Sequence, residues 1–480
     1  MQRIMFRGGL VLAPDDNELV ISVPFYLTLP TTARDDEEAV LINPTAARLR
    51  DLPGTWSGPR RQARPPGGRI RGALAAQRIG WRAMSARILA LAMAATLLLA
   101  VSGCSDPSTE STSSTSPVSS TAAPTKPIND ALAQRLDAAI NQAMSVAGVP
   151  GAIVGIWGPD GDYVRAFGVA DKATRAPMKT DFYSRIGSVT KTFTVTALLQ
   201  LADQGKLGLD DSIAEFVDGV PLGNRITLRQ LARMQSGLSN YSASPEFQQA
   251  MFADPRRAFT PSELLSYAFA QPNQFPPGDG FEYCNTNTIL LGLVVQKVSG
   301  EPLHSYIHDH ILTPLGMGHT SFPTDNAFPD PHAQGYTVQT ADGKEAVATD
   351  WNPSWGWAAG AMISRLDDMH TWAAALATGK LLTPQMQAQR LQTVGSPGLP
   401  PQDGYGLGIF NLGGWIGHNG SLPGYQTVVV HLPEKQTSLV ILTTTDIEYQ
   451  GAEPSTSLAT AITKELTPDH IYSLGPQMPR

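Results

Sequence analysis

Ser188 and Lys191 stand three positions apart in "RIGSVTKTF", residues 185–193, at the head of the apolar stretch "SVTKTFTVTALLQLADQGKL". Helical periodicity places them on one face, one turn apart. A serine hydroxyl is a poor nucleophile unless a base takes its proton, and an amine does so only where burial or nearby charge lowers its pKa from about 10.4. At a helix start the backbone N–H groups also face any anion formed there, as an oxyanion hole requires. The pair therefore fits acyl transfer through a serine nucleophile, or a serine that simply caps the helix. Further along come Tyr283-Cys284-Asn285 in "FEYCNTNTILLG" and His418-Asn419-Gly420-Ser421 in "GWIGHNGSLPGY". Cys284 reads as a small buried thiol, since alternation turns it away if Tyr283 and Asn285 face a site. His304 and His308, with His310 following, have a spacing that could hold zinc, or form a solvated helix face. No Gly-x-Ser-x-Gly elbow surrounds Ser188, which argues against an α/β-hydrolase.

These residues need a scaffold, and its elements are legible. "NDALAQRLDAAINQAMSVAG" predicts a first helix capped by Asn129 or Asp130. "GAIVGIWGPDGDYVRAFG" reads as a hairpin turning at Gly158–Gly161, and "GYQTVVVHL" with "TSLVILTTT" as a second one around Pro433–Gln436. "PSTSLATAITKEL" predicts a closing helix. Strands near both ends, with mostly helical material between, predict an α+β domain whose antiparallel sheet unites the N- and C-terminal parts.

The chain has 480 residues, 42% of them apolar, enough for one large domain or two ordinary ones. Its 35 basic and 42 acidic residues give a formal charge of −7, which offers nucleic acid no global attraction. In "MSARILALAMAATLLLAVSGC" the apolar run Ile88–Val101 follows Arg87 and is short of the roughly 20 residues that span a bilayer. It suits a signal-peptide core, and Val101-Ser102-Gly103-Cys104 resembles a bacterial lipobox. That resemblance implies cleavage before Cys104 and a lipid on its sulfur; a buried helix or a true membrane anchor is the alternative. The expected organisation is a non-structural extension or mis-assigned start over 1–83, a lipoprotein signal peptide over 84–103 and a Ser/Thr/Pro-rich tether over 104–128. A hydrolase domain follows over 129–468, then a tail over 469–480. Only Cys104 and Cys284 are present, so lipidation of the first leaves no intrachain disulfide.

Ser-x-x-Lys, Tyr-x-Asn and His-x-Gly, in that order, resemble the penicillin-recognising serine hydrolases: class C β-lactamases, low-molecular-weight D-alanyl-D-alanine carboxypeptidases and related esterases. "GKLGLDDSIAEFV", "ITLRQLARMQSGL", "ILTPLGMGHTSF" and "WAAGAMISRLDDMHTW" are similar to family stretches in family order, so the likeness covers Asn129 to Leu466. It implies a β-lactamase/transpeptidase-like fold with an all-helical insert, and a site between sheet and insert. It also implies that Ser188 forms an acyl-enzyme, with Lys191 or a phenolate of Tyr283 as base. Asn285 would bind the substrate amide. His418 stands where relatives carry a cationic lysine, so its charge would vary near neutral pH. Gly420 would let substrate lie along the strand edge, Ser188 and Ser421 would supply the oxyanion N–H groups, and Trp355 would wall the pocket or belong to the core. No cofactor or metal is needed. The expected partners are a small molecule or peptidoglycan peptide and, through the lipid, a membrane; the expected state is a monomer. Carboxypeptidase or β-lactamase-like activity ranks first and an esterase second, with a non-catalytic cell-wall or β-lactam sensor as the alternative from another class. A terminal carboxylate ordinarily needs Arg or Lys, and the third motif brings only His418.

Overall fold

A computed structural model describes residues 126–474. The segments expected as extension, signal peptide and most of the tether, Cys104 included, lie outside the described residues. Helix α1, Asp130–Ala147, starts where Asn129 accepts a hydrogen bond from the Leu132 N–H at 2.9 Å, and it stops at Gly148, whose φ of 67° is left-handed. The first hairpin is β1, Gly151–Gly158, and β2, Gly161–Gly168. Helix α2, Thr190–Asp203, carries Lys191, α3 (Pro245–Ala253) and α4 (Asn285–Ser299) follow within the insert, and α5 (Leu366–Thr378) packs on the sheet. The chain returns through short strands β3 (Gly404–Tyr405) and β4 (Phe410–Leu412) to three long ones, β5 (Trp415–Leu422), β6 (Tyr425–Leu432) and β7 (Thr437–Thr443). Helix α6, Pro454–Leu466, closes the domain.

The seven strands form one antiparallel sheet in the order β2-β1-β7-β6-β5-β4-β3, so β1 pairs with β7 and the N- and C-terminal parts of the described domain join in one sheet. Alternation assigns the faces. Val154, Ile156, Val428, Val430, Leu439 and Ile441 point to α1 and α6, where they meet Leu136, Ile140, Leu458 and Ile462. Ile153, Val429, Val440 and Leu442 point the other way, to α5 and the insert. The central strands are thus buried on both faces, as their unbroken Val/Ile/Leu runs require.

Two expected boundaries shift. Lys126 and Ile128 already bond with Asp162 at the start of β2, which brings the tether's last residues into the domain. The tail also packs: the Trp415 indole donates to the His470 carbonyl at 2.8 Å, and Tyr472 is fully buried with its N–H on Thr463. An aromatic buried against α6 outweighs the absence of any periodic signal in so short a segment.

Insert and sheet are joined through Trp372 of α5. Its ring stacks on Phe193 of α2 with centroids 4.0 Å apart, and its indole donates to Thr192 Oγ1 at 2.8 Å. Trp372→Ala is expected to cost about 3–5 kcal/mol of stability, read as a lower midpoint in urea unfolding.

Candidate active site

Ser188 does not begin the helix. It sits in a single 3-10 turn, Gly187–Val189, with α2 starting at Thr190, and no side chain caps α2. The capping alternative is therefore set aside, and the Ser188 hydroxyl faces Lys191 instead. Lys191 has no exposed surface. Its Nζ lies 2.9 Å from Ser188 Oγ, 2.6 Å from Asn285 Oδ1 and 2.9 Å from the Ala359 carbonyl. Burial pushes its pKa down to about 7, against a smaller opposing effect of Cys284. Two of the three contacts are obligate acceptors, so a neutral amine gives its two protons to them and its remaining lone pair faces Ser188. That is the arrangement a general base needs.

Asn285 opens α4, and its amide is oriented by a chain of polar groups. Its Nδ2 donates to Ser242 Oγ at 2.9 Å, and Ser242 donates in turn to Asn240 Oδ1 at 3.0 Å, which also accepts the Asn285 N–H at 3.2 Å. The Asn285 oxygen is thereby turned onto Lys191. Asn285 was expected to contact the substrate amide; in the structure its first task is to hold the base. Asn240 and Ser242 were missed from sequence, where "SGLSNYS" gives only the composition of a polar loop.

Tyr283 lines the same cavity, with its ring centre 4.9 Å from Lys191 Nζ. Its hydroxyl is shielded from solvent and has no hydrogen-bond partner of good geometry. Burial raises its pKa; the nearby Ser188 hydroxyl offsets part of that rise, and the charge of Glu453 adds to it. The expected phenolate is thus reversed: Tyr283 stays a neutral phenol, suited to donating a proton rather than taking one.

The expectation for His418 is also corrected. It is fully buried, and burial with the neighbouring Lys191 lowers its pKa to about 3. Its Nδ1 meets the Asn419 carbonyl, which can only accept, so Nδ1 carries the proton and Nε2 accepts from the Tyr405 hydroxyl at 3.1 Å. A neutral imidazole packed on Phe410 and Tyr283 supports the tyrosine ring from behind and offers the substrate no cation.

The oxyanion side is set by backbone. Strand β4 pairs only with Trp415–Gly417, and the rest of that β5 edge lies against the nucleophile turn. The approach is so close that a Cβ on Gly187, whose φ is +50°, would fall 2.6 Å from the Ser421 nitrogen. A Cβ on Gly420 would fall 2.1 Å from the Ile186 carbonyl oxygen. Glycine at both positions lets the Ser188 and Ser421 backbones come together, as a paired oxyanion hole requires. Both serines, Asn285, Gly420 and the half-buried Trp355 line one cavity of about 520 Å³. Cys284, buried, with its thiol on the Leu238 carbonyl and its pKa raised to about 11 by burial, takes no part. His304, His308 and His310 are exposed, with His308 on Asp309 and His310 on Glu301.

A buried lysine on a serine, a neutral tyrosine beside them and two close backbone N–H groups fit the site of a serine hydrolase. The chain belongs to the Beta-lactamase family, whose profile matches residues 136–461. It is 30% identical over 352 residues to a D-aminopeptidase of Cereibacter sphaeroides, an alignment that covers 70% of this chain and 64% of that protein. Among solved structures, a D-stereospecific amidohydrolase from Streptomyces sp. superposes with a TM-score of 0.63 at 30% identity, covering 71% of this chain and 99% of the other. A D-amino acid amidase from Ochrobactrum anthropi SV3 gives a TM-score of 0.61 at 25% identity, covering 70% and 97%.

Activity is expected to rise with pH through a midpoint of about 7 as Lys191 loses its proton, with no inflection from His418, which is neutral above about 3. A kcat/KM profile from pH 5 to 9 checks this. Lys191→Met should lower kcat/KM by roughly 10²–10⁴ and abolish the titration.

Proposed function

We propose that this protein is an exported serine amidohydrolase that opens amide bonds on the carbonyl side of D-amino acid residues. The observation that carries the reading is the lining of the cavity: among the described residues it includes the carboxylates of Glu448 and Glu453 and no Lys or Arg. Such a lining disfavours a substrate held by a terminal carboxylate, which weighs against the carboxypeptidase ranking. It accommodates amide and peptide donors that carry no free carboxylate near the scissile bond. Preference for the D configuration is supported by the activities named for the amidohydrolase, the amidase and the aminopeptidase to which the chain is similar.

The residues divide the work as follows. Lys191 takes the Ser188 proton while Oγ attacks the carbonyl carbon, and the oxyanion is held at the N–H groups of Ser188 and Ser421. As the C–N bond breaks, the leaving nitrogen takes a proton from Tyr283, which is replenished from Lys191. Water then attacks the ester carbonyl, its proton passing to Lys191, and Ser188 leaves as its hydroxyl. Export and lipid anchoring at Cys104 are supported by the apolar run Ile88–Val101 and the Val-Ser-Gly-Cys ending. A monomer on the outer face of a membrane would meet D-residues in peptidoglycan peptides.

Hydrolysis of D- and L-phenylalanine p-nitroanilides tests the reading. The D-anilide should be cleaved well ahead of the L-anilide, and Ser188→Ala should abolish the rate. Cleavage of simple aryl esters with neither anilide touched would instead identify an esterase. For export, the mature chain from the native envelope should begin at an acylated Cys104; a mature chain retaining residues 1–83 would overturn it.

A further inference from the structure

We propose that Ser242 is a positioning residue whose hydroxyl locks the Asn285 amide in one orientation and thereby keeps the lone pair of Lys191 free for Ser188. The inference rests on the reading that Lys191 takes the Ser188 proton, and not on the D-amide substrate. Ser242 lies in the 3-10 turn Tyr241–Ala243 and borders the cavity. The direction of its hydrogen bonds is set at the far end of the chain. Asn240 Oδ1 receives the Asn285 backbone N–H at 3.2 Å and the Ser242 backbone N–H at 3.4 Å. Backbone N–H groups can only donate, so Asn240 must present its oxygen there. The Ser242 hydroxyl, 3.0 Å from that oxygen, therefore donates to it and is left to accept from Asn285 Nδ2 at 2.9 Å. Asn285 Oδ1 is then the atom turned to Lys191 Nζ, at 2.6 Å.

Without that hydroxyl the amide gains a second orientation, with Nδ2 toward the amine. An ammonium has no lone pair and rejects it, whereas a neutral amine accepts it and gives to Asn285 the lone pair that otherwise faces Ser188. The reversed form is thus open only to deprotonated Lys191, and it is inert as a base. One equilibrium constant, reversed over native orientation, then governs two observables. The plateau rate falls by a factor of one plus that constant, and the midpoint of the pH profile falls by the logarithm of the same factor, because deprotonation is drawn toward the extra state. Well below the midpoint the rate is unchanged, since the active amine there remains the same fraction of the ammonium. The other ionisable groups around Lys191 stay silent near neutrality. Burial keeps Tyr283 and Cys284 protonated, the thiol raised to about 11, and keeps His418 neutral above about 3, while the charge of Glu453 acts on Tyr283 to reinforce the neutral phenol.

The test is the kcat/KM profile from pH 5 to 9 of the native enzyme, Ser242→Ala and Ser242→Thr, on D-phenylalanine p-nitroanilide, or on an aryl ester if the anilides are untouched. Ser242→Ala should lower the plateau about tenfold, move the midpoint down by about one pH unit and meet the native curve on the acid side. The plateau loss should lie in kcat rather than KM, and Ser242→Thr, which keeps the hydroxyl, should restore the native profile. An equal fall at every pH with the midpoint unmoved, a loss confined to KM, an unchanged profile, or a threonine variant as impaired as the alanine one overturns the assignment. If Ser242→Ala does not fold, Ser242→Cys replaces it, its weak thiol donor giving the same two changes at smaller size; a profile identical to the native one then overturns the proposal. A native profile with no inflection near 7 overturns the base role of Lys191 and this inference with it, while leaving the substrate reading in place.

Discussion

Removing the Lys191 amine from water is the constraint around which this molecule is organised. An ammonium with no exposed surface is costly, and the acceptors around it, the Asn285 amide and the Ala359 carbonyl, carry dipoles but no compensating charge. The group therefore sheds its proton near neutrality, with its lone pair toward the Ser188 hydroxyl. The surrounding architecture serves that burial. Helix α2 is buried on nearly every side against α4 and the sheet, and Trp372 clamps it through Phe193 and Thr192. The Asn240–Ser242–Asn285 chain then decides where the two remaining amine protons point.

A second constraint is steric. An oxyanion hole made from two separate backbone segments needs them closer than side chains permit, and Gly187 and Gly420 provide that approach. Between these requirements, the site's groups are held by well-buried parts of the fold: strand β5, the buried start of α2 and a turn pressed between them. The cavity's outer wall comes from other elements, α3 and the 448–453 loop among them. Selectivity can vary there without disturbing the base, which suits a family whose members carry different hydrolytic names.

The neutral states of Tyr283 and His418 show how strongly burial governs the site's chemistry. Read along the chain, Tyr283 stands among two basic side chains that would favour its phenolate. In the fold the phenol's own burial disfavours its ionised form, while desolvation neutralises His418 and brings Lys191 to partial charge near neutrality, so the field that would have ionised the phenol is weak. The tyrosine stays a neutral phenol and the histidine a packed, neutral support.

Much of this was written locally and could be read so. The hairpin around Pro159-Asp160, the Asn129 cap, the doubly buried strands and the Ser-x-x-Lys, Tyr-x-Asn and His-x-Gly triplets depend on periodicity, turn chemistry and spacing, which are properties of neighbouring residues. The protonation states, the orientation of Asn285 by Asn240 and Ser242, the packing of Tyr472 and the placing of Glu453 beside Asn419 were not legible. Each arises between segments far apart in the chain, as when Lys191 meets Ala359 or Asn419 meets Glu453. Sequence by itself determined which groups were available and on which kind of element. Only the tertiary structure decided which of them lost their water, and desolvation is what sets an amine's proton affinity.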